Sequence, residues 1–196
     1  SVLSVNGGGG LSVPSSFTGI AALAGVDMPS TGASEDKAEL SMAIIRSRSF
    51  LQHLTTFENI LPSMMAVEKY DKNSKEIIFD SDIYDFKTKT WGTNGRPTPH
   101  ASYEQYLTML RVSKELRTGY ITVSIEHQSP IFARDFLELI LQENNSLIRN
   151  RDLREATSSI TYLKSELINT SIIDIKNSIN QLISKQLETQ MLAKVT

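Results

Sequence analysis

The sequence predicts an α+β fold: a small α/β base with a mixed or antiparallel sheet, plus a long, extended, coiled-coil-like α-helical hairpin. Two observations predict this class. Apolar and polar residues alternate on both sides of a turn at Thr118-Gly119, which indicates a β-hairpin. No glycine or proline follows Pro130, and apolar residues then recur about every 3.5 positions, which is typical of a narrow helical seam.

The 196 residues suffice for one domain or for a domain with an extension. Residues 1–33 are predicted to be a flexible N-terminal segment of the base, because they are rich in Gly and Ser and hold one charged residue, Asp27. Residues 34–128 are predicted to form the α/β base domain. Residues 129–196 are predicted to form the long helical hairpin extension, whose ends could complete the base.

Within the base, one helix is predicted over residues 34–55 and a shorter one over residues 101–107. The first prediction depends on apolar positions that share a helical face, namely Leu40, Ile44, Leu51 and Leu54, with Ser47 between them. Residues 92–99 contain both Gly and Pro and are predicted to be a loop. Trp91, the single tryptophan, is predicted to be a packing anchor beside it.

Two stretches of the base are predicted to be strands. Residues 76–79 form the apolar centre of a segment of mixed charge. Residues 120–126 alternate cleanly, with Ile121, Val123 and Ile125 on one face, and residues 110–113 alternate before the turn. The second stretch predicts a β-hairpin with one face covered by helices.

Ser129-Pro130 marks the start of a helix, because Ser is a good N-cap and Pro is favoured at the first helical position. The polar run Asn169-Thr170-Ser171 predicts a break, and Ser171 with Asp174 resembles a capping box for a second helix. The first helix would then be roughly 60 Å long. An uninterrupted helix to Thr196 is the alternative to the hairpin.

The two narrow seams identify the side chains that are expected to pack the hairpin or the subunits of an oligomer. These candidates are Ile140, Leu147, Leu153, Ile160, Leu163, Leu167, Ile175, Ile179 and Leu182. The helices also carry balanced charges, which are either solvated faces or pairs between identical subunits. The candidates for such pairs are Arg149, Arg151, Arg154, Glu155, Lys164 and Glu166.

The sequence offers no catalytic constellation, so no catalytic, cofactor-binding or metal-binding residue is assigned and no enzyme is expected. The chain has no cysteine and a net charge of −2, which argues against thiol chemistry and against a nucleic-acid-coating domain. Asp80 and Asp82 resemble the start of a calcium loop, but Asp85 stands where that loop needs glycine. No apolar run is long enough to span a bilayer, and the abrupt ends suggest an excised fragment.

Several stretches, taken together and in order, resemble one known family. The earlier ones are Leu23-Ala24-Gly25-Val26, Ser47-Arg48-Ser49-Phe50-Leu51, and Tyr84-Asp85 leading to Trp91. The later ones are Gly119-Tyr120-Ile121-Thr122-Val123-Ser124-Ile125-Glu126, Ser129-Pro130-Ile131-Phe132-Ala133, Glu155-Ala156, Ile160-Thr161-Tyr162-Leu163-Lys164, Leu182-Ile183 and Met191-Leu192-Ala193. This ordered set resembles the polysaccharide co-polymerases, or Wzz-type chain-length determinants, of bacterial inner membranes.

The resemblance implies a periplasmic domain with a membrane-proximal base, from an inner-membrane protein with a transmembrane helix at each end. It implies a non-enzymatic regulator of the chain length of O-antigen, capsule or exopolysaccharide. The implied partners are further copies of the chain, a membrane polymerase, the growing polysaccharide, and the membrane through flanking helices outside this chain; no nucleic acid is implied. The return strand of the family is missing, so the base sheet is expected to be short by a strand.

Two other function classes remain open on the sequence. A periplasmic coiled-coil adaptor of an efflux or secretion assembly would also use a helical hairpin, but β-rich segments would flank it. A glycan-processing hydrolase would need paired carboxylates in a cleft, and only Asp80, Asp82 and Asp85 cluster in the sequence.

Overall fold

The computed structural model describes Val2–Leu3, residues 33–115 and residues 117–195, and it has an α+β fold with small antiparallel sheets and one long helix. The chain divides into two compact units, Ser1–Ile140 and Leu141–Thr196. The prediction of a flexible segment over residues 1–33 lies mostly outside the described residues. Within that segment, the described residues Val2–Leu3 form strand β1.

The helix predicted over residues 34–55 is two helices, α1 (Ala33–Ile45) and α2 (Arg48–Leu54). The prediction of one helix is wrong because Ser47 adopts an extended backbone and caps α2, its hydroxyl accepting a hydrogen bond from the Phe50 amide at 3.1 Å. The interruption also changes which face is buried. Ile45 and Phe50 lie in the core, whereas Ile44 is only half-buried.

The short helix α3 (Ile60–Met65) precedes the strands, and α4 (Pro99–Met109) follows the loop after Trp91. The sequence predicts that α4 begins at residue 101. It begins earlier, at Pro99, because the Thr98 hydroxyl caps the helix by accepting a hydrogen bond from the Ala101 amide at 3.2 Å. Pro99 then occupies the first turn, where a missing N–H costs nothing. The predicted loop therefore ends at Thr98.

All strand pairs in the described chain are antiparallel. The predicted β-hairpin is confirmed; on its predicted face Ile121 and Val123 are buried and Ile125 is half-buried. The predicted strand at Glu76–Phe79 is also confirmed, but its partner strand was not predicted. The strands after β1 are β2 (Val67–Asp71), β3 (Glu76–Phe79), β4 (Tyr84–Asp85), β5 (Thr90–Trp91), β6 (Leu110–Lys114) and β7 (Ile121–Ile125), in the pairings β1-β7-β6, β2-β3 and β4-β5.

The core of the first unit lies where α4 meets the start of α5 (Pro130–Asn169). Tyr106 and Phe136 are fully buried there, with ring centroids 6.1 Å apart, and Phe132 stacks on Phe136 at 5.3 Å. The predicted helix start is confirmed, because the Ser129 hydroxyl accepts a hydrogen bond from the Phe132 amide at 3.2 Å. Burial of these aromatic rings, in offset contact with one another, stabilises the core of the first unit.

The second unit contains the rest of α5 and the helix α6 (Ile173–Val195), with residues 170–172 between them. The alternative of one uninterrupted helix is therefore wrong. The predicted capping box is also wrong, because α6 begins at Ile173 and its first turn closes from the Lys176 amide to the Ile172 carbonyl at 3.0 Å. None of the described helices combines the length and the apolar character that a membrane span requires.

Candidate functional site

The first unit has an open cavity of ≈ 1120 Å³ at the N-terminal end of α4. Its walls come from α2, the segment after α2, and the loop between Trp91 and α4. The polar and charged side chains among its lining residues include Arg48, Gln52, Thr55, Arg96, Thr98 and His100. We call this feature the arginine cavity.

Local structure positions both arginines of the arginine cavity. Arg48 begins α2 directly after the Ser47 cap, and its guanidinium lies 5.0 Å from the centre of the Tyr103 ring. Arg96 lies in the loop that follows Gly92. A Cβ atom added at Gly92 would come within 1.9 Å of the Asp82 carbonyl oxygen. Only glycine permits this close approach, so Gly92 fixes the start of the loop that carries Arg96.

A smaller cavity of ≈ 170 Å³ shares Thr55, Leu61 and Arg96 with the arginine cavity. It adds aromatic side chains to the combined surface. The Tyr84 and Trp91 rings are 4.9 Å apart between centroids, and Trp91 is half-buried, as expected of a packing anchor. We call this feature the aromatic cavity.

The two cavities together carry an excess of positive charge. Among the residues that line the arginine cavity there is no carboxylate. The aromatic cavity has one carboxylate, Glu58, which forms an ion pair with Lys89; this contact lowers the pKa of the exposed Glu58 carboxyl. In the described part of the chain, neither Arg48 nor Arg96 is in an ion pair with a carboxylate. This local excess contrasts with the net charge of −2 for the chain.

The apolar side chains singled out for packing occupy three classes of environment. Ile140, in the first unit, is fully buried. In the second unit Ile160, Leu163 and Ile179 are buried, whereas Ile175 is exposed. The remaining candidates are half-buried: Leu147, Leu153, Leu167 and Leu182.

The charged candidates lie on the surface of the second unit. Arg151 and Glu155 form an ion pair along α5, with the Nε and Oε1 atoms 2.6 Å apart. Arg149, Arg154 and Lys164 are exposed, and within the described chain none of them is in an ion pair. Glu166 is half-buried.

The acidic residues considered for calcium serve backbone turns. The Asp80 carboxylate accepts a hydrogen bond from the Asp82 amide at 2.9 Å. The Asp85 carboxylate accepts hydrogen bonds from the amides of Thr88 and Lys87, which lower the pKa of the Asp85 carboxyl. Across residues 33–115 and 117–195, no group of three or more His, Asp or Glu side chains is arranged to hold a metal ion.

Sequence reasoning missed the role of Arg48, Arg96 and His100 in one cavity. In the sequence, Arg48 belongs to one of the stretches that carry the family resemblance, and Arg96 belongs to the loop predicted over residues 92–99. The signal in the sequence that could have indicated Arg96 is its position in a predicted loop, since exposed loops on a rigid scaffold often carry binding residues. The meeting of α2 with that loop depends on long-range packing, which no local pattern encodes.

No protein-family model matches this chain, and neither a curated protein nor a solved structure matches it.

Proposed function

We propose that this chain is a non-enzymatic regulator of polysaccharide chain length that acts as an oligomeric scaffold for a membrane polymerase. The observation that carries the proposal is the ordered resemblance between Thr118 and Ala193 to the polysaccharide co-polymerases. Under this proposal the chain faces the periplasm at the bacterial inner membrane. Its product would be O-antigen, capsule or exopolysaccharide.

A helical hairpin in the second unit is part of the proposal. The Gln190 side-chain amide donates a hydrogen bond to the Thr157 hydroxyl at 3.0 Å, which joins the late part of α6 to the middle of α5. Such a contact across a three-residue joint supports an antiparallel arrangement of the two helices. The burial of Ile160, Leu163 and Ile179 supports a common apolar seam between them.

Self-association is the second part of the proposal. The second unit exposes large apolar side chains on both helices, including Tyr162 (61%), Ile168 (84%), Met191 (66%) and Leu192 (63%). Large apolar side chains that are exposed to this extent are candidates for contacts between subunits, because water does not solvate them favourably. Arg149 and Arg154, which are in no ion pair with any described residue, are suited to bond carboxylates of a neighbouring subunit.

The test begins in the bacterium that encodes the full-length protein. The gene is deleted and then restored with its flanking segments, and the surface polysaccharide is separated on a gel. We expect the modal band to disappear on deletion and to return on restoration. An unchanged ladder would contradict a length regulator and would favour the adaptor, whose partners crosslinking would then identify.

Variants of the second unit connect the structure to that result. Ile160→Glu and Leu163→Glu place a charge in the buried seam, so we expect both to change oligomer size and shift the modal length. Ser158→Glu is the matched control, because it adds the same charge at an exposed polar position of the same helix. Unchanged oligomer size and unchanged product length in both seam variants would overturn the proposed scaffold mechanism.

A further inference from the structure

We infer that the arginine cavity and the aromatic cavity together form a binding site for an acidic saccharide, in which Arg48 and Arg96 bind a sugar carboxylate. The saccharide part of this inference rests on the proposed function. The anion part rests on the two cavities alone. The site would give the scaffold a direct contact with an acidic polymer chain.

The first step is the charge of the arginine cavity. Arg48 and Arg96 line it without a carboxylate among its lining residues, and neither is in an ion pair within the described chain. A guanidinium presents its N–H donors in a planar fork that matches the two oxygens of a carboxylate. His100 and the first turn of α4 line the same cavity, and a helix N-terminus adds to the positive field.

The second step is the fixed position of one guanidinium. The Arg48 guanidinium lies 5.0 Å from the centre of the Tyr103 ring, and the Tyr103 hydroxyl donates a hydrogen bond to the Arg46 carbonyl at 2.8 Å. The ring therefore restricts the conformations of Arg48 before any ligand arrives. A cation held in this way loses less conformational entropy on binding than a free side chain does.

The third step is the neutral part of the surface. Gln52, Thr55, Thr56 and Thr98 line the arginine cavity with one amide and three hydroxyl groups. The Thr55 and Thr56 hydroxyls donate to backbone carbonyls and can accept hydrogen bonds from a ligand, whereas the Gln52 amide can both donate and accept. Beyond Arg96, the aromatic cavity offers the half-buried Trp91. Sugar rings combine hydroxyl groups with an apolar C–H face, so hydrogen-bonding side chains next to an aromatic ring suit them, whereas a bare phosphate would use the cations alone.

The test is a titration of the chain with three probes at low salt. The probes are oligogalacturonate, a neutral maltooligosaccharide and inorganic phosphate, and calorimetry measures the affinity. We expect oligogalacturonate to bind, and to bind at least about tenfold more tightly than either other probe. The affinity should fall as salt is added, because exposed charges are screened.

Variants assign the binding to the two arginines. We expect Arg48→Gln and Arg96→Gln each to weaken oligogalacturonate binding about tenfold, which is the range for a charge-assisted hydrogen bond. Arg117→Gln is the matched control, since Arg117 is exposed and lines neither cavity. Arg96→Lys keeps the positive charge but loses the planar fork of N–H donors. Its affinity for oligogalacturonate should therefore lie between those of the wild-type chain and Arg96→Gln. Both arginines are exposed, so we expect the variants to fold, and circular dichroism tests this expectation.

Several results would overturn the inference. If the chain does not bind oligogalacturonate, or if the Arg48→Gln/Arg96→Gln double variant binds it as tightly as the wild-type chain does, the proposed binding site is contradicted. Phosphate binding as tight as that of oligogalacturonate would overturn the saccharide assignment. Failure of the proposed function is a separate result, since it would appear as an unchanged polysaccharide ladder after gene deletion, whatever the titration gives.

Discussion

Two tyrosines of α4 donate hydrogen bonds to backbone carbonyls at the C-terminal end of α1, and they differ in their exposure to water. The Tyr106 hydroxyl donates to the Ile45 carbonyl at 2.8 Å and the residue is fully buried, whereas Tyr103 makes the equivalent bond to Arg46 and is half-buried. Burial also raises the pKa of Tyr106, so its phenol keeps the proton that it donates. Without these donors, carbonyls at the end of α1 would depend on water.

We expect Tyr106→Phe to lower the free energy of unfolding of the first unit by about 1–3 kcal/mol, because it leaves a buried carbonyl without its donor. Tyr103→Phe is the control and should cost about 1 kcal/mol or less, since water can reach the Arg46 carbonyl. Urea denaturation followed by the fluorescence of Trp91 measures both, because the single tryptophan lies in the first unit. Equal losses in the two variants would contradict this account.

His127 links the end of β7 to the start of α5. Its Nδ1 accepts a hydrogen bond from the Ser129 amide at 3.0 Å, and its Nε2 lies 2.9 Å from the Ser63 carbonyl oxygen. This pattern fits a neutral ring with the proton on Nε2. Burial lowers the pKa of His127 below its ordinary value of 6.5, against the opposing effect of the Ser63 carbonyl.

The lowered pKa predicts a loss of stability in acid. The fold prefers the neutral ring, so its contribution is complete above pH 6.5 and is lost as the pH falls through the lower pKa of the folded state. Between pH 7 and pH 5 the wild-type chain should therefore lose more unfolding free energy than His127→Gln. Glu126, which pairs with Arg111 at 3.2 Å, is present in both proteins. Identical pH dependence in the two would show that His127 is not responsible.

At the scale of elements, the β4–β5 hairpin and the loop that follows it form one structural piece. The Gly92 amide donates to the Ile83 carbonyl at 2.9 Å, and the Gly95 amide donates to the Gly92 carbonyl at 2.8 Å. A Cβ atom at Gly92 would meet the backbone of Asp82, which cannot rotate away as a side chain could. The loop therefore keeps its course only with glycine at this position.

We expect Gly92→Ala to destabilise the first unit by about 1–3 kcal/mol, as overpacking does in a closely packed site. Thr93→Ala is the control, because Thr93 is exposed and should change stability by less than about 0.5 kcal/mol. Trp91 fluorescence follows unfolding and also reports a displaced loop, since Trp91 is the residue before Gly92. Equal denaturation midpoints for Gly92→Ala and the wild-type chain would refute the close approach.

Signals that act within a few residues predicted several elements correctly. The alternation around Thr118-Gly119 fixed the β6–β7 hairpin, because one residue of slippage would expose Ile121 and Val123. Ser129-Pro130 marked the start of α5 through its cap. The break at Ser47 was missed, since the apolar helical spacing continues through it and hides the Ser47 cap on the Phe50 amide.

At the scale of the whole molecule, the two units offer different surfaces. In the described part of the chain, the first unit places Arg48 and Arg96 at its cavities without an ion pair, while the second unit exposes large apolar side chains on both of its helices. The proposed partners differ accordingly: an acidic polymer for the first surface and a further copy of the chain for the second.

We expect the chain to self-associate, and Tyr162→Lys with Met191→Lys to reduce this association, because both residues are more than half exposed. Both the repulsion between the introduced like charges and the loss of apolar contact weaken self-association. Asn177→Lys is the control, since it adds a charge at an exposed polar position. Sedimentation equilibrium over a range of concentrations gives the mass. A wild-type chain that stays monomeric, or variants that associate as strongly as the wild type, would contradict this expectation.

The sequence alone determined the α+β class, the β6–β7 hairpin, the start of α5 and the break between α5 and α6. Each of these depends on periodicity, caps or turn residues, which act over short stretches of chain. Only the tertiary structure decided the pairing of β1 with β7 and the meeting of Arg48 with Arg96 in one cavity. The physical reason is that these contacts join segments far apart in sequence, so they depend on how the helices and loops pack rather than on any local preference.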